Sequence, residues 1–104
     1  MGLTINTPTV GFLSPPLLQT HQLSSGGNLE VNRLYILSGA GTYTLASATN
    51  DADTIWIKNT STAEIIVTTT DAVEGTITGS VTIPANGVVR LVWTTITGFG
   101  WAIL

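Results

Sequence analysis

The chain has 104 residues with three basic and six acidic groups, a formal charge of −3, one His, no Cys, 43% apolar residues and only 9% charged ones. That is one domain with one core, and since soluble domains carry about 25% charged residues, its surface must be made of Thr, Ser, Asn and Gly, which suits contact with other protein. Three scattered cations, Arg33, Lys58 and Arg90, form no phosphate-binding track, so no nucleic-acid partner is expected, and the lack of Cys excludes disulfides, thiolate nucleophiles and zinc ribbons.

The first residues, Met1-Gly2-Leu3-Thr4-Ile5-Asn6, have no cationic n-region, no long apolar h-region and no Ser or Thr at the sixth position, so neither secretion nor myristoylation is expected. No stretch approaches the roughly 20 apolar residues of a membrane helix. A protein made in the cytoplasm with no membrane partner is the expectation. Residues 1–32 contain Pro8, Pro15, Pro16 and a Ser24-Ser25-Gly26-Gly27 hinge, with no proline-free alternation of strand length. Proline cannot donate to a sheet ladder and Pro15-Pro16 favours polyproline II, so this part reads as an extended arm. Phe12, Leu13, Leu17 and Leu18 flank its prolines as apolar anchors. Such an arm is either a tail or peripheral strand lying on the chain's own sheet, or a clamp onto a neighbouring molecule, with a reach of up to ~100 Å at about 3.3 Å per residue.

From residue 33 to 104 the chain becomes a succession of short runs rich in Thr, Ile, Val, Tyr and Trp, separated by Gly, Asn, Asp and Ser. Strands are predicted at 34–37, 42–45, 54–58, 64–70, 76–78, 81–83, 88–95 and 101–104, with no helical period. The turns Ser38-Gly39-Ala40-Gly41, Asn59-Thr60-Ser61-Thr62, Pro84-Ala85-Asn86-Gly87 and Thr97-Gly98-Phe99-Gly100 are expected to supply the positive-φ positions of tight hairpins. The fold class is all-β: a small antiparallel β-sandwich or jelly-roll-like barrel carrying an extended N-terminal arm.

Several strands are apolar on both faces. Ile55 and Ile57 oppose Trp56, Ile65 and Val67 oppose Ile66, and Val89, Leu91 and Trp93 oppose Val88, Arg90 and Val92. A two-layer fold needs one apolar face per sheet, and a chain this short has little left for a second cover. Further copies of the chain are expected to cover the surplus, each buried Trp or Ile contributing roughly 1.5–3 kcal/mol. Trp56 and Ile66 are the candidate contacts of such an oligomer.

The ordered series Tyr43-Thr44-Leu45, Ile55-Trp56-Ile57-Lys58-Asn59, Gly75-Thr76-Ile77-Thr78-Gly79, Gly87-Val88-Val89-Arg90-Leu91 and Gly100-Trp101-Ala102-Ile103 resembles a pattern of tailed-phage virion proteins. It covers about two thirds of the chain. The resemblance implies a small β-sandwich that assembles as a homotrimer, used as a capsid decoration (cement) protein or as a domain of tail fibres and tailspikes. It brings no catalytic residues and no cofactor. A free-standing small protein without a shaft fits decoration: a trimer on the capsid exterior, contacting the major capsid protein through Phe12, Leu13, Pro15, Pro16, Leu17 and Leu18. The alternative is a fibre module that binds host receptor glycan through Trp56.

Other constellations have plain readings. His21, the sole histidine, lies in the proposed arm, a poor place to preorganise a nucleophile. Asp51 and Asp53 lack the Gly and distant Glu of a calcium loop and read as a turn capping its own backbone. Asn59-Thr60-Ser61 fits a glycosylation acceptor but reads as a hairpin turn. Trp93 and Trp101 alternate with core residues. No enzyme activity and no metal site are expected.

Overall fold

The computed structural model describes residues 19–48 and 50–104. Among them are nine strands: β1 (Gln19–Leu23), β2 (Gly26–Leu29), β3 (Arg33–Leu37), β4 (Thr42–Leu45), β5 (Thr54–Asn59), β6 (Ile65–Thr68), β7 (Ser80–Ile83), β8 (Val88–Trp93) and β9 (Trp101–Ile103). They form a five-stranded sheet in the order β9-β8-β5-β3-β1 and a four-stranded sheet in the order β2-β4-β6-β7. The two layers enclose one core, so the chain is the all-β sandwich its sequence predicts.

Strand direction departs from the antiparallel expectation. The pairs β1–β3, β3–β5, β2–β4 and β4–β6 are parallel, while β6–β7, β5–β8 and β8–β9 are antiparallel. From β1 to β6 successive strands alternate between the sheets, so the chain winds as a flattened coil whose return path supplies the crossover that parallel pairing needs. The antiparallel strands β7, β8 and β9 close its far end. The corners explain the winding. None of residues 38–41 or 59–62 has a positive φ, so these segments cannot make the tight hairpins assigned to them and carry the chain across to the facing sheet instead.

Equivalent backbone bonds stack one corner on the next: Ser38 N donates to Leu23 O and Thr60 N to Leu37 O, each at 2.9 Å. Glycine is required here by proximity rather than by φ. A Cβ on Gly41 would lie 2.4 Å from both the nitrogen of Gly26 and the carbonyl carbon of Ser25 in the corner beside it.

The boundary of the proposed arm also moves. Residues 19–32 belong to the sandwich: β1 and β2 are the edge strands of the two sheets, and Leu29 is fully buried. Gly26, assigned to a hinge, lies within β2 at φ +113°, where a Cβ would stand 2.8 Å from Thr42 O. A glycine that admits a neighbouring backbone inside a strand reads in sequence like a linker. The arm residues named as capsid contacts, Phe12, Leu13, Pro15, Pro16, Leu17 and Leu18, lie outside the described residues.

Period-two alternation fills the core. Tyr35, Leu37, Ile55, Ile57, Leu91 and Trp101 point inward from one sheet, and Leu29, Tyr43, Leu45, Ile65, Val67, Val81 and Ile83 from the other. Trp101 is fully buried and meets half-buried Trp93 edge to face, with centroids 5.3 Å apart at 67°. The strand expected at 76–78 does not form. Glu74 and Gly75, at φ 49° and 86°, make a tight turn bridging Val73 to Thr76, and Gly79 at φ 80° turns the chain again before β7.

Candidate functional site

The outer faces of the two sheets differ in chemistry. On the four-stranded sheet, Asn28, Thr44, Thr68 and Ser80 form one cross-strand row, and Thr42, Ile66 and Thr82 lie along the next. Thr68 Oγ1 donates to Tyr43 O at 3.1 Å and lies 3.4 Å from Thr44 Oγ1, so this face is largely a hydroxyl ladder. Ile66 stands on it 49% exposed.

The five-stranded sheet turns apolar and cationic groups outward. Pairing register places Leu34 of β3, Trp56 of β5 and Arg90 of β8 in one row, with Ile36 and Lys58 beside it on one side and Val92 and Ala102 on the other. The Arg90 guanidinium lies over the Trp56 ring, 5.1 Å from its centroid, a geometry in which the ring's negative face attracts the cation. Leu34, Ile36, Trp56, Arg90 and Val92 are all half-buried on this outward face. Lys58 Nζ donates to Asn86 O in the β7–β8 turn. The one ion pair among the described residues joins Arg33 to Glu30 at 3.1 Å, so Lys58 and Arg90 have no carboxylate partner there.

Apolar side chains do stand on the outer faces, but the structure does not bring the two candidate residues together. Trp56 and Ile66 project from opposite sides of the sandwich. A contact that uses both would have to be head-to-tail, the Trp56 face of one copy on the Ile66 face of the next. Arg90 and Leu34, which complete the Trp56 row, are not among the contacts expected from sequence, although strand parity already sets Arg90 outward. Their strands pair with β5 only in the folded sheet, and the nearest signal is the shared outward parity of Val88, Arg90 and Val92.

The remaining candidates have structural roles. His21 lies on β1 with its ring 5.6 Å from that of Tyr35, whose hydroxyl accepts from Glu30 N. Asp53 accepts from Asn50 N and Asn32 Nδ2, and Asp51 Oδ1 accepts from Thr95 N and Oγ1, tying three connections at one end of the sandwich together. Asn59 is fully buried. Its Nδ2 donates to Ala63 O and Ile83 O, and its Oδ1 accepts from Ser61 N and Oγ, which removes it as a glycosylation acceptor. An open groove of about 480 Å³ lies between Trp93, Ala72 and residues 94–98. Among the described residues no group of three His, Asp or Glu is placed to hold a metal ion.

No family model and no curated relative matches the chain. A solved structure does: a chain in "Structure of a chaperone-substrate complex" superposes with a TM-score of 0.55 at 13% identity. The match covers 83% of this chain and 17% of that one, so the fold corresponds to a small part of a much longer polypeptide. At this identity the likeness establishes the fold alone.

Proposed function

We propose that this chain is a structural module of a tailed-phage virion, a self-associating sandwich that acts by binding protein surfaces and not by catalysis. The preferred form is a trimeric capsid decoration protein on the outside of the head, adding contacts between capsomers of the major capsid protein. The observation that supports this reading is the outward, half-buried row Leu34–Trp56–Arg90 with its aliphatic neighbours, apolar side chains gathered on one sheet face as at an interface. Three subunits each bringing a weak capsid contact would act at high effective concentration.

Co-sedimentation with undecorated heads tests it, comparing the full chain with one beginning at Gln19, which keeps every described strand. Binding by the full chain and its loss on shortening is the expected result. No binding by either removes the decoration reading; equal binding by both removes the role assigned to residues 12–18.

The alternative, a module of a tail fibre binding host glycan, would use the indole of Trp56 on the same outward row. A glycan-array signal lost on Trp56→Ala, with no affinity for heads, would select that reading.

A further inference from the structure

The charges of this chain are segregated by the topology. Because β1, β3 and β5 run one way and β2, β4 and β6 return, the β2–β3, β4–β5, β6–β7 and β8–β9 connections all lie at the same end of the sandwich. Glu30, Asp51, Asp53, Asp71 and Glu74 fall in those connections, five of the chain's six carboxylates, with Arg33 the one cation beside them. The other two cations, Lys58 and Arg90, lie on the outer face of the five-stranded sheet. Residues 1–18 carry no Asp or Glu, so that segment has no carboxylate to offer them.

We infer that the Trp56–Arg90 face docks the acidic loop end of a second copy of this chain. The step rests on the self-association proposed above and specifies its geometry. Pairing the face with itself across a twofold axis would set Arg90 and Lys58 against their own kind, which disfavours an isologous dimer. The acidic end supplies the opposite charge. It also lies across the strand axis, at an angle to the sheet face, so successive copies turn and a ring can close, whereas contact between opposite outer faces would run on in a straight line. In the contact, the apolar side chains around Trp56 exclude water, and the desolvated guanidinium, already oriented by the indole, gains a carboxylate.

Sedimentation velocity of the full chain at micromolar concentration tests this, with near-UV circular dichroism of the Trp93–Trp101 pair as the check on folding. Arg90→Glu and Asp51→Lys are each expected to weaken association by about tenfold or more, and the doubly reversed chain to regain most of it. Raising salt from about 0.05 to about 1 M should weaken the wild type more than the Arg90→Gln chain, which keeps a planar group over the indole and only Lys58 as a cation on that face. Ile66→Ser, on the opposite face, should leave association unchanged. An oligomer indifferent to Arg90→Glu, or single reversals that the double reversal does not rescue, would overturn this docking while leaving self-association standing. A wild-type chain that stays monomeric would overturn both.

Discussion

Arg90 sits directly across the β5–β8 pair from Trp56, and its guanidinium rests on the indole face 5.1 Å from the ring centroid. The pair joins two roles on one surface. The arginine covers part of an indole that would otherwise meet water, and the indole orients a cation that has no carboxylate partner among the described residues. Trp56→Ala should lower the stability of the isolated subunit by only about 1 kcal/mol, since the ring lies outside the core on the sheet's outer face, yet weaken self-association far more. Urea unfolding and sedimentation of the same variant separate the two effects.

Asn59 takes the position in β5 that Leu37 holds in β3 and Leu23 in β1, inside the corner where the chain crosses between sheets. All of its donors and both acceptor sites are used. Asn59→Leu should destabilise the fold by about 3 kcal/mol or more, because it removes the side-chain bonds that Asn59 makes to the carbonyls of Ala63 and Ile83 and to the Ser61 amide. Asn59→Asp should be worse, placing a buried carboxylate against two carbonyl oxygens. Chemical denaturation midpoints at constant m-value measure both.

Two glycines offer a contrast. At Gly41 an added Cβ meets backbone at 2.4 Å, whereas at Gly98, with φ +79°, it meets nothing within 4 Å. Gly41→Ala should therefore force the first two coils apart, at a cost of about 3 kcal/mol or more, and Gly98→Ala should cost only about 1 kcal/mol of backbone strain. Thermal melts of the two variants should rank them in that order.

Truncation checks where the domain starts. A chain beginning at Gln19 should give the same cooperative melt as the full protein, while one beginning at Asn32 loses both edge strands and exposes Leu37, Leu45 and Tyr43 along their length. The shorter chain should bind hydrophobic dyes and melt without a sharp transition, as a core open on one side does.

The local alphabet of residues was enough to show an all-β sandwich, most of its strands and which side chains point inward, because alternation with period two is written into each strand separately. It also set Trp56, Ile66 and the outward valines of β8 on the faces away from the core. Direction and neighbourhood were not written there. A Gly-Ser corner looks the same whether it folds back as a hairpin or crosses to the facing sheet, and Gly26-Gly27 looks like a hinge until Thr42 is placed against it. Only the packed coil decides that β3 pairs with β5, which brings Leu34, Trp56 and Arg90 into one row, sends Ile66 to the opposite side and gathers five carboxylates at one end. Those are relations between distant residues, fixed by which backbone satisfies which hydrogen bond, and no single stretch of sequence contains them.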